Sequence, residues 1–554
     1  MTEASGVRIS PPIVAPPGTG ATAGPHQVTL FSAEWFRHAE RLLSVTQVDE
    51  ETAVQFLLTV TDGPELGTVS RVTMLLDRST DGLRILPTDG AARPNLGITL
   101  NSEQAATLLL GSGSQRASLL EDEGITLVGV FQYLYYADRA LQQDRGGALA
   151  RIRTLTRALP PDLGVACWPD AGEPPVEPWS LDATDNAAEV LPRTLAALRR
   201  EIPLSSPGAQ LHVVHDSSNL EVSLAMGEAR PQVRFTRRSL VPWNCCAKPQ
   251  GAVAAMQLVE RGLLDLDAPI ADSLSWFAGS RRESITVRQL LTHTTAVPSG
   301  FDPFHGRLVV NRVQRRELLQ LVAPPVGERP GTRINYSAKW AWYLLAEIIE
   351  ALDGRDYDQY VREEVLEPCG MTSSRTCFSA EEYQEQVATL PVRYISGDGK
   401  AAQPSYWFST KRACTTPLPG ASHRGPMSDL GRLLGMLLHD GSSGGKQVLS
   451  PNSVAALTSR QRVGLTDRYG NADWGLGVRV ESRHLGPSFT QFSRYASART
   501  YGHYGLWTNV GFADPDAGGL IVALHFNGQT WHEEHMARMF RVNDAIYEDL
   551  NLAG

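Results

Sequence analysis

Apolar residues in FSAEWFRHAERLL return every three or four positions, at Phe31, Trp35, Phe36, Ala39 and Leu42–Leu43, and predict a helix. The pattern then changes. AVQFLLTVTD, VSRVTMLLD, GLRILPTD and LGITLN read as strands, SEQAATLLLG as a helix, GITLVG as a short apolar stretch and FQYLYYADRALQQ as a closing helix. Helix, sheet and helix in that order describe an α+β unit. Further along, EVLPRTLAALRREI predicts a helix, and AQLHVVHD and LEVSLAMG predict two strands joined by the turn SSN. Helical patterns follow, then late strands such as FADPDAGGLIVALHF. Strands at both ends with helices between them predict an antiparallel sheet assembled from both termini of this region, again α+β.

Two stretches interrupt these patterns. Residues 1–27 are rich in Pro and Gly and read as a disordered lead. Residues 159–186, LPPDLGVACWPDAGEPPVEPWSLDATDN, read as an interdomain connection. The expected organisation is a smaller domain over 28–158 and a larger one over 187–554, which suits a chain of 554 residues. No internal repeat or heptad run is present. Apolar content of 42% and charged content of 20% are those of a globular protein. A net charge of -9 supplies no basic footprint for nucleic acid. No apolar run reaches membrane-spanning length, so no membrane insertion is expected. The N-terminus lacks the charged start and apolar core of a secretory signal, which leads to a cytoplasmic expectation. Cys167, Cys245, Cys246, Cys369, Cys377 and Cys414 show no paired metal spacing. They are expected as thiols, with neither metal nor cofactor.

Chemistry concentrates in NCCAK, residues 244–248. Cys245 and Lys248 stand i, i+3 at the head of a predicted helix, where their side chains can meet. The positive end of the helix dipole and a neighbouring ammonium both favour a thiolate. Cys246 is rotated away by about 100°. Two buried cysteines in an Ala-rich core helix would give the same letters.

The surrounding motifs decide more. The stretch LGITLNSEQAATLLLGSG…LEDEGITLVGVFQYL, 96–134, resembles a sterol-carrier-protein-2-like (SCP2-like) domain. That resemblance implies either a site for a long apolar ligand or a packing and docking module. From residue 240 onward the chain resembles the serine β-lactamase and penicillin-binding-protein superfamily, in its class C and esterase-like branch. The motifs, in order, are NCCAK; LVERGLLDLD, 258–267; ITVRQLLTHTTAVP, 285–298; NYSAKWAWYLLAEIIEALDG, 335–354; LEPCGMTSS, 366–374; PMSDLGRLLGMLL, 426–438; WGLGV, 474–478, as a strand entry; and YGHYG, 501–505. The resemblance puts Cys245 at the nucleophile position, Lys248 as its proton acceptor or ion partner, Tyr336 as the proton-handling tyrosine and His503 as the residue that orients substrate. It makes the backbone N–H groups of Cys245 and Leu506 the oxyanion hole. Trp243, Trp340, Gly505 and Trp507 are candidate substrate-binding positions, although core packing suits the tryptophans equally. His293 in LLTHT reads as a hydrogen-bonded core imidazole.

Two positions depart from the family pattern. Cys245 stands where the family has serine, and Ala338 where it has asparagine, which speaks against penicillin-like recognition. Lysine, tyrosine and His-x-Gly all remain, so a working thiol is expected rather than a decayed site. A cysteine acyl-enzyme is a thioester, disposed to aminolysis and exchange. The implied function is a cysteine-nucleophile acyltransferase or transacylase of specialised biosynthesis. Its acyl donor would be a small-molecule ester or thioester or an acyl carrier protein, and its acceptor an amine or alcohol. A cysteine-dependent esterase or amidase, and a catalytically dead acyl- or lipid-binding scaffold, remain as alternatives.

Overall fold

A computed structural model describes Trp35 and Ala39, the elements within 54–129 named below, and residues 177–553 apart from 203–204, 299–311, 398–399, 468–471 and 531. The predicted lead at 1–27, the helix over FQYLYYADRALQQ and most of the predicted connection lie outside the described residues. Trp35 and Ala39, one helical turn apart, are helical and fully buried.

Strands β1 (Val54–Val60), β2 (Ser70–Leu76), β3 (Leu83–Leu86), β4 (Leu96–Leu100) and β5 (Thr126–Gly129) form one sheet in the order β3-β2-β1-β4-β5. β1 runs antiparallel to β2 and parallel to β4. Phe56, Leu58, Val60, Ile98 and Leu100 are buried at every second position, as a half-covered sheet requires. Helix α1 (Ser102–Leu110) follows β4. Its start is set by a reciprocal pair: the Asn101 N–H donates to Gln104 Oε1 and the Gln104 N–H to Asn101 Oδ1, each at 2.8 Å.

The larger region is built on eight strands: β6 (Leu181–Ala183), β7 (Gly208–His215), β8 (Leu220–Arg230), β9 (Val233–Arg234), β10 (Arg479–Val480), β11 (Tyr501–Gly505), β12 (Asn509–Asp514) and β13 (Leu520–Phe526). Their order is β10-β11-β12-β13-β7-β8-β6, with β9 on β8. β13 pairs antiparallel with β7 from Leu520↔His215 to Phe526↔Ala209, so the sheet does join strands from both ends of the region. β6 corrects the expected boundary at 187: Leu181–Ala183 pairs with β8 although it lies within the stretch read as a connection. Three residues after a Pro-rich run are too short to show a period of two.

Both faces of this sheet are covered. Leu520, Val522 and Leu524 of β13 pack with α2 (Pro192–Glu201) and α6 (His532–Asp549), while Ile521 and Ala523 join the helical core opposite. On that second face α5 (Met427–Leu438) lies across β7, β12 and β13. Gly431 permits its approach, since a Cβ there would come within 2.3 Å of the His212 ring. Gln210 Oε1 accepts the Met427 N–H at 2.6 Å, occupying one open donor of the first turn of α5. Helices α3 (Lys248–Glu260) and α4 (Trp340–Asp353) pack together in the same core. α4 is largely buried, its one acidic stripe, Glu347 and Glu350, pairing with Arg315 and Arg316, and it stops at Gly354, whose φ of 93° is a left-handed cap. Among the described residues no helix is long and apolar enough to cross a membrane.

Candidate active site

Three segments converge at the head of α3. Val241–Pro242 pairs with Arg424–Gly425 and delivers the chain into a 3₁₀ turn, Asn244–Ala247, that runs directly into α3. Asn244 holds φ at 49°, a left-handed value asparagine tolerates better than most residues. Its amide is fixed on both sides: Nδ2 donates to Thr508 Oγ1 at 3.1 Å, and Oδ1 accepts from Arg393 Nη2 at 3.1 Å. The turn then separates the adjacent cysteines. Cys246 is buried and its thiol donates to the His503 carbonyl at 3.2 Å, whereas Cys245 stays partly exposed.

The side chains of Lys248 and Tyr336 both lie close enough to that of Cys245 to interact with it. Lys248 is fully buried, and its Nζ also donates to Gly420 O at 3.1 Å and to Ala338 O at 3.3 Å. The ammonium lies 5.1 Å from the Trp342 ring centroid and 5.7 Å from that of Tyr336. Burial lowers the Lys248 pKa from the ordinary lysine value, with the nearby Cys245 pulling it the other way. Burial raises the Tyr336 phenol, and the Cys245 sulfur adds to the rise. Ala338 is exposed, so Lys248 meets the backbone carbonyl at the position where the family carries an amide side chain.

His293 positions this tyrosine. Its carbonyl accepts the Asn335 N–H at 2.8 Å, its Nδ1 accepts the Ser337 N–H at 3.2 Å, and its ring centroid lies 4.4 Å from that of Tyr336. Burial holds its pKa well below the usual imidazole range.

His503 enters from β11. Its Nδ1 lies 2.6 Å from the Tyr504 carbonyl; that acceptor places the proton on Nδ1 and leaves the lone pair on Nε2, which has no partner among the described residues. Burial first, then the charges of Arg479 and Lys248, hold this imidazole well below its ordinary pKa. Gly505 packs against the nucleophile turn so closely that a Cβ would fall 2.5 Å from Trp243 O and 3.1 Å from Cys245 N. That approach sets the Cys245 backbone N–H beside the Leu506 segment. Leu506 and Trp507 hold φ at 38° and 56°, strained values for side chains of their size. Thr508 N donates to Gly505 O at 2.9 Å and Arg538 Nη2 to Trp507 O at 2.9 Å, and these bonds keep the hairpin in that shape.

The structure therefore brings together Cys245, Lys248, Tyr336, His503, Gly505 and Leu506. Trp243 and Trp340 require correction as substrate-binding positions: both are core residues, 0% and 1% exposed, and the Trp243 indole donates to Gly425 O at 3.0 Å. Trp507 is partly exposed, with its ring 4.5 Å from His532. Trp474 and Arg479 were missed. Trp474 centres the cluster, its ring 5.2 Å from His293, 5.5 Å from His503 and 6.3 Å from Tyr336. The available signal was the aromatic residue that opens WGLGV; the buried Arg479 showed only as a charge inside an apolar run. Among the described residues no group of three His, Cys, Asp or Glu side chains could hold a metal ion.

A family model described as Beta-lactamase matches residues 198–545. The esterase/beta-lactamase LipL of Mycobacterium tuberculosis is 24% identical over 52% of this chain and 71% of its own length. Monacolin J acid methylbutanoyltransferase of Aspergillus terreus is 28% identical over 30% of this chain and 46% of its own. Among solved structures, EstCE1, a hydrolase with promiscuous acyltransferase activity, superposes with a TM-score of 0.53 at 20% identity, covering 65% of this chain and 99% of that one; this likeness is one of fold.

Proposed function

The chain belongs to the beta-lactamase family, and we propose that it is a cysteine-nucleophile acyltransferase working through a thioester acyl-enzyme. One observation carries the reading: a partly exposed thiol, Cys245, interacts with both a buried lysine and a half-buried tyrosine. Relatives named as an acyltransferase and as an esterase support the reaction class.

In the proposed cycle Lys248, whose amine is easier to deprotonate than an ordinary lysine, takes the thiol proton. The Cys245 sulfur attacks the acyl carbonyl carbon, and the oxyanion sits on the N–H groups of Cys245 and Leu506. The bond from carbonyl carbon to leaving oxygen or sulfur breaks, Tyr336 protonates the departing atom, and Lys248 returns a proton to Tyr336. An amine or alcohol then attacks the thioester carbonyl. Its proton passes back through Tyr336, the carbon–sulfur bond breaks, and Cys245 is released. His503 Nε2, neutral and unpartnered, suits a hydrogen bond from the acceptor.

The donor is proposed to be a small-molecule ester, thioester or carrier-bound acyl group in specialised biosynthesis. Ala338 supports donors without a side-chain amide to anchor, since no asparagine reaches the cleft there. The SCP2-like unit would hold the donor's tail or dock its carrier. Hydrolysis, with water as acceptor, is the second reading, favoured by the esterase relative.

Substitution of the nucleophile tests the proposal. A hydroxyl is far less acidic than a thiol, and an oxyester leaves more slowly than a thioester. Cys245→Ser should lower transfer from a thioester to an amine by at least about 10²-fold while its acyl form can still be trapped. Intact-protein mass with S-butanoyl-N-acetylcysteamine and benzylamine measures both halves. A serine form that transfers as fast as its parent defeats the thioester mechanism. Absence of any acyl adduct on the parent, with thioester, ester or amide, leaves the scaffold reading.

A further inference from the structure

Behind the cleft-facing groups lies a second layer that the cycle above does not use. Trp474 is 1% exposed, and the rings of His293, Tyr336 and His503 all abut it. Its own position depends on cations. The guanidinium carbon of Arg479 lies 4.8 Å from the Trp474 centroid and 4.1 Å from that of Tyr504, and the carbon of Arg462 lies 5.0 Å from Trp474. Arg462 is engaged with backbone, its Nη1 donating to Thr292 O at 2.7 Å and its Nε to Ala472 O at 3.0 Å. Arg479 donates from Nη1 to Gln491 Oε1 at 2.9 Å and to Tyr504 Oη at 3.4 Å. It sits on β10, paired through Arg479↔Gly502 with the strand that carries His503. The residue is 9% exposed.

We infer that Arg479 is a positioning residue for acyl transfer: stacked on Trp474 and Tyr504, it fixes the indole against which Tyr336 and His503 are aligned and places a positive charge behind them. The inference rests on the acyl-transfer reading for its catalytic meaning. The groups facing His503 are Arg479 from the neighbouring strand, Lys248 from α3, and His293 with Trp474 from the loops opposite. Arg479, Lys248 and His293 are basic, and the Cys246 thiol, donating to the His503 carbonyl, is a weakly acidic neighbour. Burial first, and then the charge of Arg479, keep the imidazole neutral and its Nε2 lone pair open to an acceptor. The same charge acts on Tyr336 in the sense of easing loss of its proton. Removing it should let His503 take up a proton at higher pH, closing that lone pair.

The test compares Arg479→Met, which removes charge and donors, with Arg479→Lys, which keeps the charge. Turnover of S-butanoyl-N-acetylcysteamine with benzylamine is followed against pH. The Met variant should lose about tenfold at pH 7 and show its acid limb at higher pH than the parent; the Lys variant should keep the parent's limb. The same comparison is run on iodoacetamide labelling of Cys245, which needs no turnover. There the Met variant should show an added titration step below neutral pH that the parent and the Lys variant lack. If the parent does not acylate but the labelling profiles separate in this way, the acyl-transfer reading fails and the positioning role stands. If the parent acylates and the Met profiles match the parent's, or the Lys variant behaves like Met, the positioning role is overturned. Arg479→Gln, which keeps a polar planar head, replaces Met if Met does not fold. Failure of both neutral variants to fold beside a folded Lys variant makes Arg479 a structural residue and overturns the proposal as well.

Discussion

Two cysteines of this protein sit partly exposed beside a charged neighbour, and they are chemically opposite. Cys245 meets Lys248 and Tyr336 at the head of a helix. Cys377 lines a cavity of about 310 Å³ with Asp356, Asp358, Arg362, Arg375 and Glu382, and its thiol donates to Asp358 Oδ2 at 3.5 Å. Burial and the Asp358 carboxylate push the Cys377 thiol up, away from its reactive form. Burial also raises Asp358 itself. A partly exposed thiol and a charged neighbour are thus common to both regions, and they differ in which charge meets the sulfur and in the tyrosine that joins Lys248.

The largest expected effect falls on the proton carriers that only the first region has. Lys248→Ala and Tyr336→Phe should each lower turnover by about 10²-fold or more, and the double substitution should be little worse than either. Steady-state rates on variants shown to fold by circular dichroism decide this; losses that simply multiply would break the idea of a shared unit. Next comes labelling. Under limiting iodoacetamide Cys245 should react at least about tenfold faster than Cys377, and Asp358→Asn should narrow the gap by relieving Cys377. Peptide mapping that finds Cys377 labelled first would invert the comparison. The smallest effect concerns stability. A carboxyl whose folded pKa is raised contributes most below its unfolded value, and that contribution is lost as pH rises through the folded pKa. Asp358→Asn should therefore gain stability at pH 8, within about 1 kcal/mol, and the gain should shrink toward pH 4. Urea midpoints at the two pH values measure it, and an equal effect at both would show that Asp358 does not titrate differently on folding.

Much of this was legible in the residues. Strand-like runs marked four of the five strands of the smaller sheet and the β7–β8 hairpin, while GITLVG, which holds β5, read only as a short apolar stretch. The spacing of Cys245 and Lys248 was enough to place them together, since three positions along a helix is a local relation. Non-local relations escaped. Trp243 and Trp340 were candidate pocket residues because an apolar aromatic reads the same in a core and in a cleft. On α4 the first seven residues are apolar throughout, so no period marks which face Trp340 takes. Trp474 and Arg479 acquire their place only through strand pairing and ring contacts with residues far away in the chain. The left-handed turn at Asn244 is set by Thr508 and Arg393, which local sequence does not announce.

The sheet's construction from both ends of the region fixes the order in which the site can become competent during synthesis. The nucleophile turn leaves the ribosome early, while the strand bearing His503 and the Gly505–Leu506 corner follows some 260 residues later, on the order of tens of seconds at ordinary elongation rates. Even then the corner waits for Arg538 on the last helix to hold the Trp507 carbonyl. A nascent chain therefore carries the Cys245 thiol well before the Gly505–Leu506 corner that packs against it.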